Sequence, residues 1–406
     1  MACRVLGTCS IQLIDSRKEA VDLDEFESIR LWTDSRQSAE RQREQGVIVG
    51  IGDDAAVVEA PQGEGGTLQW LMAVDTMVET VHFNAATMAE ADVGWKSLAA
   101  NVSDIAAMGG VPRHALVSVS VPRAWEPAGI RRLYDGLYAC AEQYGVAIVG
   151  GDTTSSPLHL VVAVTVMGTI EAGKAIRRAG AQPGDVVFVT GPVGMAAAGL
   201  HWLLAAAASG QAAAAPAQPA GGGAAGSPPC VPLAAAEAAG VAALVQAHRR
   251  PAPSVRAARL LAARGTVTSL NDVSDGLASE AWEIAEASGI SLSLRESRLP
   301  LSGSMAAYAH RVHTSPLEWM LYGGEDYVLL GTIAAGDAQA AKAELAAAGL
   351  PMYLIGEVSA GPAGVELIRD LTSADSYNQR HSAQYAAEAE APREPIAKRG
   401  YNHFAQ

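Results

Sequence analysis

The chain has 406 residues, too many for one small core and enough for two domains. Apolar residues make up 49% and charged residues 18%, the balance of an ordinary globular protein. The formal net charge of −14 excludes a nucleic-acid partner, because a duplex-binding footprint must be basic. A chain this acidic also repels a free nucleotide, so binding one requires cations that screen the phosphates locally. The four cysteines, Cys3, Cys9, Cys140 and Cys230, form no CxxC. They read as reduced thiols of a cytoplasmic protein, with neither a zinc site nor a disulfide framework. The opening MACRVLGTCSIQLIDS has no basic start followed by a long apolar run, and so does not read as a signal peptide. No apolar stretch is long enough to span a membrane; the richest, 196–208, is mostly alanine and contains His201.

Residues 1–23 read as an extension with little pattern, followed by a charged helix near 25–43. Apolar or β-branched runs bounded by turn residues predict strands at 47–50, 68–74, 116–121, 146–149 and 160–166. Two helical patterns lie between them. The first opens with Thr87 and Glu90 at capping-box spacing and stops at Gly109-Gly110. The second has Pro127 in its first turn and Gly145 just past its end. This interleaving predicts layered α/β or α+β structure. From 205 to 240 the chain is Ala, Gly and Pro with scarcely a charge. The stretch GGGAAGSPP at 221–229 reads as the centre of a flexible insertion between alanine-rich helices. A helix is expected at 253–263, and a strand at 267–273 that runs into a helix ending at Gly289. A Gly-Gly turn followed by a strand is expected within 319–333, and a loose polar tail at about 373–400.

Familiar nucleotide signatures fail. There is no GxxxxGK[ST]. Gly50-Ile51-Gly52-Asp53-Asp54-Ala55 matches GxGxxA, but its aspartates would face the pyrophosphate and Val57-Val58 continue as strand. The protein-kinase motifs are also missing. What stands out is acids in Gly/Ser/Thr-rich junctions that interrupt apolar runs: Asp53-Asp54, Asp75, Asp104, Asp152, Asp272 with Asp275, and Glu325-Asp326. Any one of them alone is more often a cap or turn residue. Six junctions together point to a shared role. In the helix near Asp104, Trp95, Leu98, Val102 and Ile105 form an apolar face, and Ser97, Asn101 and Asp104 form a separate polar stripe. Asp272-Val273-Ser274-Asp275-Gly276 falls where a strand meets a helix, which suits both an N-cap and a phosphate site.

Magnesium prefers oxygen ligands and is held by a few carboxylates together with substrate phosphates. Phosphoryl transfer needs alignment and charge neutralisation more than covalent help. No protein base is needed if the acceptor is itself an ionised phosphate. Among cations, Arg177-Arg178 suit phosphate and a solvated turn equally well. His82, in the apolar setting ETVHF, reads from that setting as a core histidine.

GIGDDAAV, LAANVSDIAAMGG, GGDTT, RRAGAQPGD, DVSDGL and GGEDY, in this order and spacing, resemble the thiamine-monophosphate kinase family. That family belongs to a superfamily with aminoimidazole ribonucleotide synthetase, selenophosphate synthetase and the hydrogenase-maturation dehydratase. The likeness runs from about Asp24 to Gly199 and from Arg249 to about Asp370, and ends with GYNHF. It implies an α+β fold: an N-terminal mixed-sheet domain at 24–172 that pairs with a second subunit, and a C-terminal α+β domain at 173–372. A tail, 373–406, would follow. It implies a magnesium-dependent enzyme that transfers the γ-phosphoryl group of ATP directly to thiamine monophosphate. On this resemblance Asp54, Asp75, Asp104, Asp152, Asp272 and Asp275 match magnesium ligands. Gly151, Asp152, Arg178 and Ser274 match ATP contacts, and His82, Glu325 and Tyr401 match substrate contacts. Where the family usually has Ser/Thr-Thr before the aspartate, this chain has Ala73-Val74, so only main-chain carbonyls such as that of Val74 are left to ligate there. The 205–240 insertion and the N-terminal extension are not typical of the family. Two other readings are another ATP-dependent synthetase of the superfamily and a non-catalytic nucleotide-binding protein. The chain lacks the reactive cysteine loop of a selenophosphate synthetase.

Overall fold

Residues 47–171 build one mixed sheet and residues 186–395 a second in the computed structural model of the protein. The structure describes residues 38–60, 67–209, 235–369 and 392–400. All of these except Ser38 belong to one compact unit, Ala39–Tyr401. The 1–23 extension, the GGGAAGSPP stretch and most of the tail lie outside the described residues.

The first half runs α1 (Ala39–Glu44), β1 (Val47–Val49), β2 (Ala56–Glu59), β3 (Leu68–Val78), α2 (Glu90–Ala107), β4 (Val111–Pro122), α3 (Pro127–Tyr144), β5 (Ala147–Ser156) and β6 (Val161–Glu171). The strand order is β1-β2-β3-β6-β4-β5, antiparallel throughout except between β4 and β5. Side chains alternate across each strand, so Val162, Val164 and Val166 of β6 are fully buried in the core that also holds Leu98, Val102 and Ile105 of α2. Helix α3 starts at Pro127 and ends at Gly145 with φ 68°, as its sequence predicts. Helix α2 departs from expectation at its start. Thr87 belongs to a turn begun by Asn84, whose side chain accepts the N–H groups of Ala86 and Thr87. The helix therefore starts later, and Asp92 accepts the N–H of its N-cap, Ala89, at 3.4 Å.

The second half runs β7 (Val186–Val189), α4 (Met195–Ala208), α5 (Ala235–Arg249), α6 (Val255–Arg264), β8 (Val267–Asp272), α7 (Leu277–Ser288), β9 (Ser291–Arg295), α8 (Gly303–Val312), α9 (Pro316–Tyr322), β10 (Leu329–Ile333), α10 (Ala335–Ala347), β11 (Tyr353–Ser359), β12 (Gly364–Ile368) and β13 (Arg393–Pro395). The strand order is β13-β12-β9-β11-β7-β10-β8, with only β12 and β9 parallel. The end of the expected loose tail is thus an edge strand. Its three residues carry no strand signal of their own and are ordered by pairing with β12.

A further core joins the halves. It contains Ala106 and Ala107 from the last turn of α2, Ile176, Ala258 and Leu261 of α6, Phe188 of β7, Leu270 of β8, and Leu329 of β10. The C-terminal end of α2 is thereby packed against the second sheet. No helix among the described residues is long and apolar enough to cross a membrane.

Candidate metal and phosphate site

The packing of α2 on the second sheet places Asp104, in the helix's last turns, beside Asp272 at the end of β8. Asp54, from the bend between β1 and β2, joins them. One carboxylate oxygen from each lies within 4.8 Å of the other two. Burial pushes the carboxyls of Asp104 and Asp272 well above the usual range, and neighbouring acids push further: Asp75 most strongly on Asp104, Asp54 on Asp272. Oδ2 of Asp54 and Oδ2 of Asp272 are buried with no hydrogen-bond partner among the described residues. Buried acceptors without donors are costly, and three carboxylates this close cannot all ionise unless a cation joins them. The donor set is all oxygen, which fits magnesium.

Arg178 covers one side of this cluster. Its guanidinium lies 2.5 Å from Asp54 and 3.0 Å from Glu283, and its Nε donates to Asn271 Oδ1 at 3.3 Å. Burial lowers its pKa, but Asp54 and Glu283 outweigh burial and raise it, so the group stays charged. Asn271 in turn donates to Glu280 and Glu283, at 2.5 and 3.0 Å. Glu280 accepts the N–H of Asp275 at 3.0 Å and the hydroxyl of Ser274 at 3.3 Å, so it shapes the start of α7 from inside. The N-cap of α7 is Gly276, with no side-chain cap, so neither Ser274 nor Asp275 serves as one. Arg177 is exposed while Arg178 is drawn in, which separates a pair that the sequence could not.

Asp75 faces α2 from β3, on the same side as buried Leu71, Ala73 and Met77, and its N–H donates to Asn101 Oδ1 at 2.9 Å. The polar stripe on α2 thus faces inward: Ser97 and Asn101 are buried, and Asn101 anchors the strand that carries Asp75. Val74 points the other way and is 62% exposed. Asp152 stands apart from the cluster, on exposed edge strand β5, with β6 and β4 between it and β3. Three strand spacings put it roughly 14 Å from β3. Gly151 packs there against β4: a Cβ would lie 1.8 Å from the Val117 carbonyl oxygen.

The GGEDY segment lies against the DVSDG segment. A Cβ on Gly324 would come within 2.3 Å of the Ser274 carbonyl oxygen. That close approach lets the Glu325 N–H donate to the same oxygen at 2.6 Å, with Glu325 in the left-handed region at φ 66°. The Glu325 carboxylate meets Lys96 Nζ at 2.7 Å and His248 Nδ1 at 3.3 Å. Burial would raise its pKa, but Lys96 and His248 prevail and hold it down at about 2. The next residue, Asp326, turns to the opposite side and accepts the N–H groups of Gly194 and of Ala196, the latter at 3.0 Å, at the start of α4. His82 sits in the turn after β3, where Nδ1 accepts the Val78 N–H at 2.9 Å; it is half-buried, not a core histidine. Tyr401 lies outside the described residues.

Lys96, His248, Glu280 and Glu283 were not singled out by the sequence reading. One signal for Lys96 was available. It sits in a stretch of small and apolar residues, GWKSLAAN, and a helix buried on every side must pair its lysine.

Residues 52–170 match the family described as AIR synthase related protein, N-terminal domain, and residues 182–368 match its C-terminal domain. The chain is 37% identical to a thiamine-monophosphate kinase of Bacillus subtilis over 88% of this chain and 94% of that one. It is 33% identical to a thiamine-monophosphate kinase of Salmonella typhimurium over 80% and 88%. Among solved structures, AaThiL complexed with AMPPCP and TMP superposes with a TM-score of 0.68 at 27% identity, covering 95% of this chain and 99% of that one. Identity of this degree along nearly the whole length of its relatives makes the chain a member of the thiamine-monophosphate kinase family, within the AIR synthase related proteins.

Proposed function

We propose that this protein transfers the γ-phosphoryl group of ATP to thiamine monophosphate, yielding thiamine diphosphate and ADP. A phosphate oxygen of the acceptor bonds to the γ-phosphorus as the bond to the β–γ bridging oxygen breaks. The acceptor oxygen is already ionised at neutral pH, so no side chain need remove a proton. The observation that carries this reading is the meeting of Asp54, Asp104 and Asp272, from three remote segments, with two buried oxygens lacking donors. Magnesium held there would neutralise the nucleotide's phosphates and align them.

In this proposal Asp54, Asp104 and Asp272 hold metal directly, with Asp75, Asp275 and the Val74 carbonyl at the margin. Arg178, already charged and anchored by Asp54 and Glu283, and Ser274, at the start of α7, contact the nucleotide together with Gly151. Glu325, ionised and partly exposed, and His82 contact the acceptor; Tyr401 is kept as a third contact on the family likeness alone. Asp152 and Gly151 lie on the open edge of the first sheet. The outer face of that sheet, with exposed Val74 of β3, Leu116 of β4 and Val149 of β5, suits pairing with a second copy of the chain. We therefore propose a homodimer formed through the first sheet, with domain limits at 24–172 and 173–372, acting in the cytoplasm. The test is turnover by the purified full chain with magnesium-ATP and thiamine monophosphate. Thiamine diphosphate and ADP in equal amounts are expected. ADP formed only with a different acceptor, or nucleotide binding without turnover, would overturn the proposal.

A further inference from the structure

Lys96, His248 and Glu325 come from α2, the end of α5 and the GGEDY loop, and their mutual contacts involve none of the three clustered aspartates. Lys96 is fully buried. Its Nζ lies 2.7 Å from Glu325 Oε2 and 3.4 Å from His248 Nδ1. His248 Nδ1 also lies 3.3 Å from Glu325 Oε2, and the ring stabilises that carboxylate by donating from Nδ1, which leaves Nε2 as its acceptor. That Nε2 is buried and has no partner among the described residues. Burial and the adjacent Lys96 both lower the histidine's pKa, which keeps the ring neutral.

Three costly features coincide here: a buried lysine, a buried ring nitrogen without a partner among the described residues, and a non-glycine residue at φ 66°. Each is destabilising when it serves packing alone. The ends of the cluster are also fixed from outside. Arg250 donates to Asp92 at 2.7 Å, Arg249 donates to the Thr87 carbonyl at 2.8 Å, and the Trp95 indole donates to the Pro251 carbonyl at 2.9 Å. The end of α5 is therefore tied to the start of α2, and His248 cannot drift from Lys96. Only Glu325 opens outward: its side chain is 27% exposed, against 1% for Lys96 and His248. Both inner contacts fall on Oε2, so Oε1 carries neither of them.

We propose that Lys96 and His248 are positioning residues for acceptor recognition: they hold Glu325 ionised and turned outward, so that Oε1 accepts a hydrogen bond from an N–H donor on the acceptor's heteroaromatic part. This rests on the reading of Glu325 as an acceptor contact. The two ideas fail separately in one experiment.

Steady-state kinetics of the full chain with magnesium-ATP and thiamine monophosphate are compared for Glu325→Gln, Lys96→Gln, and the two together. A hydrogen bond to a charged group contributes about 1.5–3 kcal/mol, so each single change raises KM for thiamine monophosphate about tenfold or more. KM for ATP stays within about twofold, because Lys96 acts on the acceptor side only. His248→Ala, which removes one neutral donor to Glu325, raises KM for the acceptor about threefold to fivefold. Lys96→Gln leaves a buried charge unpaired and lowers the melting temperature; the double variant removes both charges and recovers it. Acceptor KM remains raised in the double variant. Recovery of acceptor KM together with the melting temperature would overturn the positioning role, as would Lys96→Gln with an unchanged acceptor KM. If Glu325→Gln also leaves acceptor KM unchanged, the acceptor contact itself falls. If the unaltered chain makes no thiamine diphosphate, the kinase reading fails first.

Discussion

Arg178 and Asp54, 124 residues apart, meet at 2.5 Å at the edge of a cluster of buried carboxylates. The pair links the two halves of the chain at the point where Asp104 and Asp272 also converge. Arg178 compensates Asp54 and Glu283 and leaves the remaining acids to a cation. The charge on this site is thus incomplete by design of the fold, and the consequences can be measured.

Replacing Asp104 or Asp272 by Asn should lower kcat/KM by ~2–4 kcal/mol of transition-state stabilisation, the usual effect of losing one electrostatic group. In metal-free buffer the same substitutions should raise the melting temperature, because each removes one of several mutually repelling buried charges. Added magnesium should then stabilise the unaltered chain more than either variant. Kinetics at limiting magnesium and thermal melts with and without the metal check both halves; near-normal turnover in either variant would remove that residue from the set.

Metal-free stability should also depend on pH in a defined direction. Burial, then Asp54, pushes the Asp53 carboxyl up from 3.8 to about 6. A carboxyl whose pKa is raised on folding favours the folded state while protonated, and that contribution fades as pH climbs through the raised value. Melting temperature should accordingly fall between about pH 4 and pH 6 without metal, and Asp53→Asn should flatten the fall. Glu325, held down at about 2, works in the opposite sense. Its contribution is present above pH 4.5 and is lost only in strong acid, as pH falls through about 2.

Adjacent acids in GGEDY should separate cleanly by phenotype. Asp326 accepts backbone N–H groups at the start of α4, so Asp326→Ala should cost ~1–2 kcal/mol of stability, as for other lost helix caps. Its acceptor KM should change little. Glu325→Gln should behave in reverse. Chemical denaturation beside steady-state kinetics makes the comparison.

Gly324→Ala should damage both properties. A methyl group there would meet the Ser274 carbonyl oxygen at 2.3 Å, so the GGEDY loop must retreat from the start of α7. A loss of ~1–3 kcal/mol in stability is expected, with a raised acceptor KM as Glu325 moves. Unchanged values would show that the close approach is not needed.

The cluster was legible in the sequence where an acid sits in a Gly/Ser-rich junction at the end of an apolar run, as with Asp54, Asp104 and Asp272. Such junctions are element ends, and element ends are where side chains can gather. Glu280 and Glu283 were not legible, because acids inside a helix look like a solvated face until its partners are known. Their partners, Asn271 and Arg178, come from a preceding strand and from a segment about a hundred residues away. Lys96 and His248 are separated by 152 residues, beyond any local pattern. Thr87 and Glu90 had the spacing of a cap, but Asn84 competes for the same backbone groups and wins. The β13 strand was missed because its order comes from β12, not from its own three residues.

The most direct test of the account is diffraction from crystals grown with manganese and AMPPCP, recorded near the manganese absorption edge. The account predicts an anomalous peak bounded by Asp54, Asp104 and Asp272, with the nucleotide's phosphates against it. A nucleotide bound elsewhere, or bound with no metal touching these three carboxylates, would contradict it.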